Sequence, residues 1–129
     1  MKPFTGIAVL LFVDDSSAIR QVIAQGIGED VIVHLADSGE QALEILSTRK
    51  IDAILCDFEM PGMNGIEVLS QVRALHHGVL RFLTSGCLPP DLQDHLDSQL
   101  LDGFLEKPLL AHRVLKDINR IVAEKTATS

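Results

Sequence analysis

The sequence predicts an α/β domain built as (βα)5, a doubly wound parallel five-stranded sheet with helices on both faces. Three observations carry that prediction. Five short apolar runs alternate with five amphipathic stretches along 129 residues. Three of those runs, Ile7–Val13, Ile51–Cys56 and Val79–Leu83, are nearly continuous, the pattern of strands buried on both faces of a parallel sheet. Helix-start signals open several of the stretches between them.

Each element has its own reason. The first run, Ile7–Val13, stops at Asp14 and Asp15. Ser16 or Ser17 caps the helix that follows, which carries Ile19, Val22, Ile23 and Ile27. The second run is Val31–Leu35, and Ser38 with Gln41 then writes a capping-box pattern ahead of Ala42, Leu43, Ile45 and Leu46. The third run ends at Asp57, and the chain breaks at once on Pro61, Gly62 and Gly65. Asn64 with Glu67 is a looser capping pair ahead of Leu69, Val72 and Leu75. Thr84 closes the fourth run. Pro89 and Pro90 fit only the first turn of a fourth helix, with Leu92, Leu96 and Leu100 as a thin stripe. Gly103–Leu105 is the last run, closed by Glu106 and Lys107. Val114, Leu115, Ile118, Ile121 and Val122 then follow the spacing of an amphipathic helix. One domain over residues 4–125 is expected, with a short polar tail over 126–129 and right-handed crossovers.

Composition excludes several functions. Hydrophobic residues make up 47% of the chain, yet there are five Phe and no Trp or Tyr, which suits an aliphatic core rather than a base-stacking surface. A net charge of −7 leaves no basic stripe for a phosphate backbone, so direct nucleic-acid binding is not expected. Cys56 and Cys87 lie in apolar or turn-rich sequence without metal-ligand spacing and read as reduced, partly buried thiols. The opening MKPFTGIAVLLFVDD has one lysine and an apolar run cut short by two aspartates, which does not fit a signal peptide. No other stretch is long enough to span a bilayer. A soluble cytoplasmic protein with no membrane partner is expected. His76 and His77 lack further ligands, and His34, His95 and His112 belong to no constellation.

The strand ends carry the chemistry. In open α/β sheets, sites form beyond the carboxyl ends of the strands where strand order reverses. Asp14, Asp15 and Asp57 therefore converge, and three carboxylates so close need a cation to remain ionised. A hard divalent ion held by a few carboxylates and water favours Mg2+. Thr84 adds a hydroxyl and Lys107 an ammonium, so the edge holds the parts needed to receive a phosphoryl group on Asp57. Pro108 biases Lys107 toward an extended backbone.

Four stretches, FVDDSSAIR, LCDFEMPGMNGIEVL, FLTSG and FLEKPL, together resemble the receiver domain of two-component response regulators, of the chemotaxis-regulator type. They fall in the expected order on successive strand ends and cover almost the whole chain. The resemblance implies a flavodoxin-like sheet of order 2-1-3-4-5. It implies that Asp57 is the phospho-acceptor, that Asp15 binds Mg2+ directly, and that Asp14 acts largely through water. It further implies that the Glu59 backbone carbonyl is a metal ligand. Thr84 matches the switch hydroxyl, Lys107 the invariant-type lysine and Phe104 the aromatic rotamer switch. Ser85 stands where the family often has alanine, the connection RALHHG is short, and Pro89-Pro90 stiffens a loop that the family moves.

The implied partners are a sensor histidine kinase or a histidine phosphotransfer protein. Output is expected through the fourth helix, fifth strand and fifth helix, toward a downstream protein or a second receiver. Asp91, Asp94, Asp97 and Asp102 oppose Arg113, Lys116 and Arg120 on that face and could pair between two copies. The only chemistry expected is self-phosphotransfer and autodephosphorylation, not enzymatic turnover. A hydrolase of external phosphoesters would use Glu59 as its second carboxylate, but the length leaves no cap over a substrate. A degenerate scaffold conflicts with the presence of every site residue. A stand-alone regulator and a receiver cut from a longer regulator or hybrid kinase fit equally well.

Overall fold

The sheet divides the core in two. The computed structural model describes the backbone of residues 6–128 and the side chains of residues 6–126. Five strands, β1 (Val9–Val13), β2 (Ile32–Ala36), β3 (Ala53–Asp57), β4 (Leu80–Ser85) and β5 (Gly103–Glu106), form one parallel sheet in the order β2-β1-β3-β4-β5. Side chains in a strand alternate between faces. Leu11, Val13, Ile54, Cys56 and Leu83 meet α2 (Gly39–Thr48) and α3 (Gly65–Leu75) on one face. Leu10, Phe12, Leu55, Phe82 and Leu105 meet α1 (Ser17–Gly26) and α5 (Ala111–Thr128) on the other.

The two central strands β1 and β3 are almost wholly buried, as continuous apolar runs require. The edge strand β2 is more exposed, with Ile32 60% accessible. Ile23 of α1 and Ile27 at its C-cap are buried, but Val22 is 58% exposed and lies off the apolar stripe. Ser16, not Ser17, caps that helix by accepting from Ile19 N. The capping pairs also differ from expectation. Asn64 and Glu67 form the complete reciprocal box at α3. At α2, Ser38 accepts from Gln41 N, while the Gln41 side chain accepts from Asp37 N instead of the cap residue.

The fourth helix is shorter than its sequence stripe. α4 spans only Leu92–Asp97, so Pro89 and Pro90 precede it rather than fill its first turn. The reason is Asp91, whose φ of 59° is left-handed and cannot belong to a right-handed helix. Gln99, with φ 64°, turns the chain again beyond the helix, yet Leu100 still buries against the core. At the other end, α5 runs through Thr128, so residues 126–128 prolong the helix and do not form a separate tail. The expected domain start at residue 4 and Ser129 lie outside the described residues. Among the described residues, no helix is long and apolar enough to cross a membrane.

A buried arginine joins the far ends of two connections. Arg81, only 7% exposed, interrupts the apolar face of β4. Its guanidinium donates to the carbonyls of His77, Val79, Gln99 and Leu100, and among the described residues it forms no ion pair with a carboxylate. The Arg81 N–H donates to Asp102, whose other oxygen pairs with Lys125 of α5 at 2.6 Å. Four of the guanidinium's five N–H donors meet carbonyls, which lets the charge remain buried.

Candidate functional site

The carboxyl edge of the sheet gathers the polar residues. Asp14 directly follows β1, Asp57 ends β3, and Asp57 is paired in register with Thr84 of β4. The carboxylates of Asp14, Asp15 and Asp57 lie within 4.8 Å of one another. Asp14 and Asp57 are buried, whereas Asp15 is exposed. Lys107, just beyond β5, places its Nζ 3.1 Å from Asp14 Oδ2 and 3.3 Å from Asp57 Oδ2. One ammonium stands beside three carboxylates and pairs with two of them, Asp14 and Asp57, so the edge keeps an excess of negative charge.

Local chain geometry holds the group in place. Ser16 N–H donates to Asp14 Oδ1 at 2.8 Å, and Arg20 Nη1 donates to the Asp14 carbonyl at 2.7 Å. Glu59 N–H approaches Asp57 Oδ1 at 3.3 Å, which turns the chain away from β3. Gly65 opens α3 directly behind this turn. A Cβ there would stand 2.5 Å from the Asp57 carbonyl oxygen, so only glycine fits.

Burial shifts the two coupled groups. Desolvation pushes the Asp57 carboxyl above its ordinary value, with the Asp14 charge adding to it, against the pull of Lys107 and the Glu59 N–H. Burial alone would lower the Lys107 ammonium. The hydrogen bond and charge of Asp14, with those of Asp57, outweigh it and raise Lys107.

The residues present fit a divalent cation. The charge excess and the oxygen-only donor set suit a hard ion. Thr84 Oγ1 is a separate sign, of a missing acceptor oxygen rather than of the cation. Among the described residues it is the buried side-chain polar atom left without a hydrogen bond, an arrangement that costs about 1–3 kcal/mol.

The other expected residues fall as follows. Phe104 is half-buried against the core and, with Pro108, Leu109, Arg113 and Arg120, lines a cavity of about 310 Å³ between β5 and α5. Ser85 is buried, and its hydroxyl accepts from Cys87 N. The Glu59 side chain is exposed, and no ion pair joins it to Lys107. Arg113 and Arg120 pair with Asp117 within α5, and Asp102 with Lys125, so part of the charge on this face is satisfied within the chain. Cys56 is buried and its thiol is pushed up, by burial first and by Asp57 and Asp14 next. Cys87 is exposed, not partly buried as expected. Two residues of this region are not assigned by sequence pattern alone, Arg20 and Gly65. The signal for Arg20 is its place in the first turns of a helix whose start lies against two aspartates.

A five-stranded 2-1-3-4-5 sheet with an aspartate cluster and a lysine at its carboxyl edge defines a class of signalling module. Residues 10–119 match the response regulator receiver domain family, and the chain belongs to that family. It is a receiver of two-component signalling, a phospho-accepting and generally non-enzymatic class that binds Mg2+ at such an acidic cluster. The chain is 35% identical over 111 residues to a probable cyclic di-GMP phosphodiesterase of Vibrio cholerae, covering 81% of this chain and 25% of that protein. It is 28% identical to the nitrate/nitrite response regulator NarL of Escherichia coli, covering 95% of this chain and 58% of NarL. The chain thus spans less than two thirds of these relatives' lengths. The chemotaxis protein CheY4 of Vibrio cholerae superposes with a TM-score of 0.80 at 27% identity, over 89% of this chain and 98% of that one. A CheY-like receiver from Methanospirillum hungatei gives a TM-score of 0.81 at 22% identity, over 95% and 99%, a likeness of fold.

Proposed function

We propose that Asp57 accepts a phosphoryl group from a phosphohistidine of a sensor kinase or phosphotransfer protein. An oxygen of Asp57 bonds to phosphorus as the phosphorus–nitrogen bond breaks, and the departing imidazole keeps the bond's electrons and is protonated by solvent. Asp15, Asp57 and the Glu59 carbonyl would hold Mg2+, with Asp14 acting through water. A cation held there would supply positive charge beside Asp57 and the incoming phosphoryl group. Lys107 leaves its bond with Asp57 to face a phosphoryl oxygen, and the unpartnered Thr84 hydroxyl donates to another. Phe104 then shifts as the strand end moves, and the α4–β5–α5 face changes its affinity for a target or a second receiver.

The observation that supports this reading most strongly is Lys107 bridging Asp14 and Asp57 at 3.1 and 3.3 Å, with the orphaned hydroxyl of Thr84 on the β4 residue in register with Asp57. Loss of the phosphoryl group occurs by autodephosphorylation, and a cytoplasmic location follows from the kinase partner. Residues 4–125 form the receiver unit in this reading. Contact between receivers through exposed charges would be weak and salt-sensitive, since such pairs contribute about 0–1 kcal/mol each. Incubation with a small acyl phosphate and Mg2+, read by intact mass, should add one phosphoryl group. Chelation or Asp15→Ala should prevent it. Modification that proceeds undiminished in chelator would remove the metal-assisted reading.

A further inference from the structure

We infer that Arg20 is a positioning residue that holds Asp15 in the acidic cluster through the backbone of Asp14. The inference rests on the reading of Asp15 as a Mg2+ ligand. Arg20 Nη1 donates to the carbonyl oxygen of Asp14 at 2.7 Å. That oxygen belongs to the Asp14–Asp15 peptide, a rigid plane whose tilt sets the direction in which Asp15 leaves the strand. The backbone of Arg20 is itself fixed, because its N–H donates to the Ser16 carbonyl at 3.0 Å.

The two aspartates differ in what restrains them. Asp14 has its N–H bonded to Ala36 O, Oδ1 to Ser16 N and Oδ2 to Lys107. Asp15 is exposed, and among the described residues its side chain has no hydrogen bond or ion pair. Its place within 4.8 Å of the other two carboxylates therefore depends on its backbone. Arg20 is the side chain that holds the oxygen of that peptide. Metal sites respond strongly to such indirect support, because a ligand released from one orientation spends most of its time elsewhere.

Charge and geometry predict opposite signs here. A guanidinium beside a cation site repels the cation, so removing it by charge alone should tighten Mg2+ binding. Loss of a positioning residue should weaken it. Calorimetric titration of the whole chain with Mg2+ separates the two, with amide resonances of residues 14–16 followed in parallel. Arg20→Ala is expected to bind Mg2+ roughly tenfold more weakly, at the low end of the effect of removing a partner that orients a ligand. Arg20→Lys keeps the charge but loses the planar fork, and should fall between. Wild-type affinity or tighter binding in Arg20→Ala overturns the inference. Should the alanine variant fail to fold, unchanged affinity in Arg20→Lys overturns it equally. A wild-type chain that binds no Mg2+ removes the metal reading and this inference together. A wild type that binds beside an unaffected Arg20→Ala removes this inference alone.

Discussion

Replacing Gly65 with alanine measures how tightly the backbone behind Asp57 is held. The new Cβ would stand 2.5 Å from the Asp57 carbonyl oxygen, 2.7 Å from a Leu83 methyl and 2.9 Å from the Phe58 Cα. The methyl can rotate away. The other two contacts are backbone, and Gly65 N–H is tied to Phe58 O at 3.0 Å, so the clash cannot be relieved by a side chain. Overpacking of this kind costs about 1–3 kcal/mol, and backbone contacts on both sides put Gly65→Ala near the top of that range. A smaller backbone-entropy gain, about 0.4–1 kcal/mol, offsets part of it. A net loss of about 2 kcal/mol lowers Tm by roughly 6–10 °C in a domain of this size. Gly78 supplies the control, since nothing lies within 4 Å of its Cβ position and its φ is not left-handed. Gly78→Ala should melt within about 1 kcal/mol of wild type. Thermal denaturation by circular dichroism in chelator reads both. Equal melting of Gly65→Ala and wild type would refute the close-contact argument, and so would an equal loss in Gly78→Ala.

Other perturbations test separate parts of the account. Arg81→Met strands four carbonyls and should cost about 2–4 kcal/mol, with hydrogen exchange rising first around Gln99 and Leu100; uniform exchange across the sheet would contradict the local role. Asp57→Asn should stabilise the metal-free protein at neutral pH. Burial raises the folded carboxyl above 3.8, so ionisation destabilises the fold; the penalty is absent below 3.8 and complete once pH exceeds the raised value. Urea denaturation in chelator at several pH values should show the Asn advantage growing from acid to neutral, and a constant or shrinking difference contradicts it. Glu59→Asn should lose its phosphoryl group faster than wild type, because an amide can orient the attacking water with donor and acceptor where a carboxylate only accepts and adds charge. A longer-lived Asn variant would mean that Glu59 assists hydrolysis.

The sequence made the sheet and its charged edge legible because both depend on local pattern. Apolar runs this short, alternating with amphipathic helical stretches, read as strands buried on two faces, and the polar residue that stops each run then lies at the carboxyl edge. Asp14, Asp57, Thr84 and Lys107 were readable for that reason. α4 was not, because its limits are set by left-handed Asp91 and Gln99, and neither residue type announces that conformation. Val22 obeys helical spacing yet faces solvent, since the orientation of a two-sided stripe is decided by the sheet beneath it. Arg81 left a trace, a lone charge within an apolar run. Its partners are carbonyls from two distant connections, which no sequence pattern encodes.

The central claim is that Asp57 itself carries the phosphoryl group. Phosphorylated protein, reduced with borohydride and digested, should yield a single altered residue by peptide fragmentation, with Asp57 converted to homoserine. Asp57→Asn treated alike should yield none. Reduction at Asp14 or Asp15, or modification of Asp57→Asn at the wild-type level, would contradict the assignment.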